Sequence, residues 1–156
     1  MESFIGDYQC KIDAKGRFLF PSTLKKQMQK ASTQDRFVIK KDIYEQCLIL
    51  YTAEEWERQN KIIRKKLNPY NKDHSRFLRA FYQGTAEITL DSNNRILIPK
   101  RLLEQINANK EIYLSGQDQK IEIWATELFQ SNVPDQEEFA QMAGDFLGSL
   151  NLDETE

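Results

Sequence analysis

Two short runs in this 156-residue chain carry the same residue types at the same spacing. They are Asp13-Ala14-Lys15-Gly16-Arg17 and Asp91-Ser92-Asn93-Asn94-Arg95, each followed four residues later by a proline, Pro21 or Pro99. An aspartate that opens a tight turn accepts hydrogen bonds from amides just ahead of it, and Gly and Asn tolerate the positive φ such a turn needs. An arginine leaving that turn stands on a rigid base. Its planar guanidinium can take guanine O6 and N7 together, or a phosphate. An ion pair closed within the turn, with no ligand at all, accounts for the same spacing. A lone Asp-x-x-x-Arg carries little information, since about 0.4 would arise by chance in a chain this long.

Little else in the chain offers chemistry. There is no Gly-rich phosphate loop, no Gly-x-Ser-x-Gly, and no histidine beside a nucleophile. The carboxylate pairs Glu54-Glu55 and Glu137-Glu138 fall at expected helix starts, where they complement the dipole. The single histidine, His74, sits in a polar stretch without ligand partners and reads as surface or helix-start filler. Cys10 and Cys47 lie in apolar, strand-like segments; one bridge between them is formally possible, and buried thiols of a reducing cytosol are expected. Neither an enzyme, a metal, a cofactor nor a small-molecule substrate is expected.

The elements that position the two turns emerge from an internal repeat. Sliding the chain by 78 places sets Phe4-Ile5-Gly6 on Tyr82-Gln83-Gly84, Cys10 on Ile88, Asp13 on Asp91 and Arg17 on Arg95. Leu19 then meets Leu97, Pro21 meets Pro99, and Leu24 meets Leu102. Seven of the 24 positions from Phe4 to Gln27 are identical, against about one or two for unrelated segments. After a loop that is shorter in the second copy, Phe37-Val38-Ile39 matches Ile112-Tyr113-Leu114, and Leu48–Tyr51 matches Ile121–Trp124. A unit of about 50 residues rarely stands alone, so the copies are expected to pack face to face.

Each copy reads as a strand, the Asp turn, a second strand, a short helix and two more strands. The first strands are Tyr8–Ile12 and Ala86–Leu90, the second Arg17–Phe20 and Arg95–Ile98. Pro21 and Pro99 suit the first position of helices reaching about Gln29 and Gln105. The last pairs are Phe37–Lys40 with Cys47–Tyr51, and Glu111–Leu114 with Ile121–Trp124. Between the copies, Ala53–Leu67 and a helix capped by Asp73 are expected, the latter with Phe77, Leu78 and Phe81 inward. Pro134 opens an acidic helix whose stripe of Phe139, Met142/Ala143, Phe146 and Leu150 reads as core or interface packing in preference to a partner-recruiting face. The resulting organisation is 4–53, a helical linker 54–81, 82–126, and an acidic helix and tail 127–156.

The longest apolar run, Cys47 to Tyr51, is far too short for a membrane span, and no secretory signal is readable at the start. The net charge of −2 conceals an asymmetry. Residues 1–80 hold 17 Lys and Arg against 10 Asp and Glu, whereas 81–156 hold 5 against 14. One basic working surface, or merely a solvated helix face, would produce this split.

The doubled turn in this order, with Cys47-Leu48-Ile49-Leu50-Tyr51 leading to Glu55-Trp56, Ile98-Pro99, and Glu122-Ile123-Trp124, resembles the MraZ family. The resemblance covers about Ser3 to Phe129. It implies an α+β fold of two tandem AbrB/SpoVT-like swapped-hairpin units packed as an intrachain pseudo-dimer, with linker and C-terminal helices. It further implies a cytoplasmic, nucleoid-associated transcriptional regulator, generally a repressor tied to the division and cell wall gene cluster. Such a protein binds double-stranded promoter DNA at tandem G-rich boxes as a homo-oligomeric ring, without a membrane or cofactor. By similarity Arg17 and Arg95 are the motif arginines, Lys15 and Lys11 add positive charge, and Asp13, Gly16 and Asp91 build the turns. Asn93 and Asn94 replace Lys15 and Gly16 in the second copy, so base reading is assigned chiefly to the first. The same fold type would also serve an antitoxin-like or other protein-interaction module.

Overall fold

A computed structural model describes residues 3–28 and 35–148. The chain forms two compact units, Met1–Thr126 and Glu127–Glu156. In the first unit the order is β1 (Phe4–Lys11), β2 (Arg17–Leu19), α1 (Ser22–Lys26), β3 (Arg36–Lys41), β4 (Leu48–Thr52), α2 (Ala53–Lys66) and α3 (Lys72–Tyr82). The second copy follows as β5 (Ala86–Thr89), β6 (Arg95–Leu97), α4 (Lys100–Gln105), β7 (Glu111–Asp118) and β8 (Lys120–Ala125). A short helix, α5 (Thr126–Phe129), and α6 (Gln136–Leu147) complete the described elements apart from one 3-10 turn.

The two copies are interleaved rather than laid side by side. Six strands form one antiparallel sheet in the order β1-β7-β8-β4-β3-β5, and β2 pairs with β6 as a separate ribbon. Cys10 on β1 lies opposite Ile112 on β7, while Ile88 on β5 lies opposite Phe37 on β3. The first strand of each copy therefore pairs with the third strand of the other. In the middle of the sheet Ile49 faces Glu122, and in the ribbon Phe18 faces Ile96. Both pairs are residues 78 or 73 places apart that the internal repeat equates, so a local two-fold axis runs between them.

Burial explains the arrangement. Phe18, Phe20, Ile96 and Ile98 turn inward from the ribbon, join Leu24 of α1 and Leu102 of α4, and meet Phe37, Ile39, Ile112, Leu114, Ile121 and Ile123 of the sheet. Neither 50-residue copy has enough apolar surface to close such a core, which is why the strands are exchanged. On β3 the alternate residues face the other way, and there Lys40 places its Nζ 4.1 Å from the centre of the Phe81 ring. Trp56 stacks on Phe81 at 6.2 Å and meets Tyr51 at 5.9 Å, seating α2 and α3 over that face.

Several elements differ from their sequence-based expectation. β1 starts at Phe4 and β7 runs to Asp118, because the ladder continues through a Gly6–Gly116 pair. A Cβ on Gly116 would sit 2.9 Å from the backbone of Phe4, so only glycine lets the strands pass. α1 ends at Lys26, and Gln27 instead receives the Ile5 N–H on its side-chain oxygen at 3.0 Å. The expected end at Gln29 lies outside the described residues. Asn71, not Asp73, caps α3, accepting from the amides of Asp73 and His74 at 2.9 and 3.1 Å. Asp73 lies two positions past the cap, in the first turn, where its charge favours the dipole. Phe77 is exposed although Leu78 and Phe81 are half-buried.

In the second unit Asp135 rather than Pro134 caps α6, through the Glu138 amide at 2.8 Å. Of its apolar stripe, Phe139, Met142 and Phe146 are exposed. Leu150 lies outside the described residues. Among the described residues no helix is long and apolar enough to cross a membrane.

Candidate nucleic-acid interface

The two Asp turns are built alike, bond for bond. Asp13 Oδ1 accepts the amides of Lys15 and Arg17 at 3.0 and 2.9 Å, and Oδ2 accepts Arg17 Nε at 2.7 Å. Asp91 Oδ1 accepts the amides of Asn93 and Arg95 at 2.8 and 2.9 Å, with Arg95 Nε on Oδ2 at 3.0 Å. The backbone closes each turn a second time, Gly16 donating to Asp13 O and Asn94 to Asp91 O, both at 3.0 Å. Each carboxyl is held below its ordinary pKa, chiefly by the backbone N–H of the arginine, with the guanidinium and the second turn amide adding to it.

The fourth turn residue must adopt a left-handed backbone. Gly16 has φ +94° and Asn94 has φ +60°. At Gly16 a further constraint applies, because a Cβ would lie 2.7 Å from the Ile98 carbonyl oxygen. That closeness comes from a reciprocal bond: Ile98 N–H donates to Gly16 O and Phe20 N–H donates to Asn94 O, each at 2.9 Å. The carbonyl at the end of each turn is thus capped by the other copy, and the turns flank one ribbon.

On that ribbon Arg17 lies opposite Leu97 and Leu19 opposite Arg95. The arginine side chains are 31% and 33% exposed. Both readings of the spacing meet here. An ion pair does close within each turn, but through Nε alone. Among the described residues the terminal Nη groups of both arginines make no hydrogen bond, which leaves the end of each fork for a ligand.

The remaining sequence-selected residues divide around this ribbon. Lys15 is exposed at the tip of the first turn and Asn93 at the tip of the second. Lys11 ends β1, exposed and opposite Glu111. The Asn94 side chain is occupied, its Oδ1 accepting Lys25 Nζ at 2.7 Å. Lys25 is a residue the sequence reading passed over. The repeat equates it with Leu103, whose side chain lies against Gly16 of the first turn. Position 25 meets the turn of the opposite copy, so Lys25 gives the second turn the base that its own sequence lacks. The strand exchange, applied to the internal alignment, is the signal that would have found it.

Much of the first half's positive charge lies elsewhere. Eight of its 17 bases fall on α2 and α3. His74 is structural, its Nδ1 accepting the Asn68 amide at 2.9 Å between the two helices. Cys47 is buried and Cys10 half-buried, both as free thiols, and burial pushes the Cys10 thiol up to about 11. No cluster of metal-ligating side chains occurs among the described residues.

An exchanged pair of strand–turn–strand repeats, presenting two carboxylate-clamped arginines on one two-stranded ribbon, defines a duplicated, interleaved α+β protein. The family model described as "MraZ protein, putative antitoxin-like" matches residues 3–80 and again 81–146. A protein of Flavobacterium psychrophilum named "Transcriptional regulator MraZ" is 39% identical over 155 residues, covering 99% of this chain and 98% of its own. Proteins of the same name from Bacteroides thetaiotaomicron and Acetivibrio thermocellus are 37% and 31% identical, over 100% and 96% of this chain and 99% of each relative. The chain belongs to the MraZ family.

Proposed function

We propose that this protein is a sequence-specific DNA-binding transcriptional regulator, acting as a repressor of the division and cell wall gene cluster from tandem G-rich promoter boxes. Its full-length relatives carry a regulator's name and not an enzyme's. In this reading the segments 4–53 and 82–126 are AbrB/SpoVT-like swapped-hairpin units forming an intrachain pseudo-dimer, with 54–81 as linker and 127–156 as acidic helix and tail. The protein works in the cytoplasm at the nucleoid, as a homo-oligomeric ring. One ribbon makes few contacts, and a ring joins several so that each later contact is effectively intramolecular.

The observation that carries the reading is the pair of Asp-clamped arginines on a two-stranded ribbon, a shape the major groove admits. Arg17 and Arg95 take guanine edges with the free ends of their forks. Lys15, Lys11 and Lys25 pair with phosphate, and Asn93 adds a polar contact at the second tip. Asn94, Gly16, Asp13 and Asp91 hold the turns in shape. The structural likeness of the turns and the base supplied by Lys25 support a larger share for the second copy than its sequence implies.

The test is equilibrium binding of DNA lying immediately upstream of the protein's own gene. Arg17→Ala is expected to lose about 1–3 kcal/mol per site while the fold persists. Unchanged binding by that variant overturns the assignment. A second reading, a protein-interaction module, is favoured by the exposed stripe of α6 and by the family description. Affinity for DNA that falls steeply with added salt supports the regulator. A nuclease-resistant complex with another protein, without DNA affinity, supports the alternative.

A further inference from the structure

The ribbon exposes two leucines where solvent-facing polar residues would be expected. Leu19 is 65% and Leu97 50% exposed, although each follows a fully buried neighbour, Phe18 or Ile96. Alternation along a strand puts Leu19 on the face of Arg17 and Leu97 on the face of Arg95. The register then sets Arg17 across from Leu97 and Leu19 across from Arg95. Each arginine therefore has an apolar side chain of the other copy beside it. The repeat sharpens the point: the buried positions differ, Phe18 against Ile96 and Phe20 against Ile98, whereas the exposed leucine is the same in both copies. Core packing does not fix these leucines, since they face out.

We infer that Leu19 and Leu97 are specificity-determining residues that take the C5-methyl group of thymine beside the guanine held by the facing arginine. The inference rests on the DNA-binding reading proposed above and adds a second base to it. Thymine is the one DNA base that shows a methyl group in the major groove, and apolar side chains read it by contact. A ribbon with arginine and leucine paired across its strands matches a guanine next to a thymine, and the local two-fold presents the pair twice.

The test uses the full chain and the DNA upstream of its own gene, amplified once with thymidine and once with deoxyuridine triphosphate, which removes only the methyl groups. The wild-type protein should bind the uracil duplex about fourfold more weakly for each methyl contacted, the equilibrium worth of one apolar carbon. The Leu19→Ala/Leu97→Ala variant should bind both duplexes equally, with an unchanged thermal midpoint. Equal wild-type affinity for the two duplexes overturns the inference while leaving the DNA reading intact. So does a variant that still discriminates, or one whose oligomeric state changes in place of its base preference. Wild-type protein that prefers neither duplex over random DNA removes the DNA reading itself, and this inference with it.

Discussion

Asp13 and Asp91 do more than neutralise an arginine. By accepting two turn amides and one Nε–H each, they fix where the guanidinium starts and leave its far end unused. Because the folded carboxyls titrate below their ordinary value, their stabilising effect is complete above the unfolded carboxylate pKa of about 3.9. It is lost as pH falls through the lowered folded pKa. The fold should therefore be insensitive to these groups from neutral pH down to about 5, and weaken only in strong acid. Asp13→Asn and Asp91→Asn should flatten that acid limb in a pH series of urea unfolding curves. A glycine contrast tests the turn geometry at the same scale. Gly16→Ala combines a positive φ with a 2.7 Å approach to Ile98 O, and should cost about 1–3 kcal/mol of unfolding free energy. Gly144→Ala on α6 meets nothing within 4 Å and should be neutral or stabilising by up to about 1 kcal/mol.

At the level of elements, what was legible was whatever depends on local rules. Pro21 and Pro99 marked the starts of α1 and α4 to within one residue, standing at the cap and not at the first helical position, and the apolar runs placed β3, β4 and β8. The ends were less legible because they depend on partners distant in the chain. The Gly6–Gly116 crossing lengthens β1 and β7, and the Gln27 bond to Ile5 accompanies the early end of α1. The cap of α3 illustrates a different difficulty: Asn71 and Asp73 are both good capping residues, and the Asn68–His74 bond accompanies the earlier choice. Where strand β4 passes into α2, Thr52 Oγ1 accepts the Glu55 amide at 3.1 Å in a buried setting. Thr52→Ala should leave that N–H unpaired and destabilise by about 1–2 kcal/mol. Chemical denaturation with an unchanged slope would check it.

Over the whole molecule, the internal repeat was legible in the residues themselves, whereas the exchange of strands was implied only by the family resemblance. Self-similarity equates Cys10 with Ile88 and Phe37 with Ile112, yet it is silent on whether each pairs within its own copy or across. The sheet order answers that, and with it comes the juxtaposition of Arg17 and Arg95 on one ribbon. The same crossing brings Lys25 to Asn94, a contact 69 residues apart that no local pattern announces. Charge was a poorer guide. The basic excess of the first half lies largely on α2 and α3, away from the residues whose geometry is most constrained. Duplication, not charge, singles out the ribbon that carries Arg17 and Arg95.

In the proposed function a guanidinium meets a guanine edge, and replacing guanine by 7-deazaguanine in the upstream duplex removes the N7 acceptor while keeping base pairing. Wild-type protein should bind the deaza duplex about 5–100-fold more weakly, in line with the worth of a bidentate contact. The Arg17→Ala/Arg95→Ala variant should bind natural and deaza duplexes alike. Wild-type affinity that is indifferent to the substitution would contradict guanine recognition by Arg17 and Arg95.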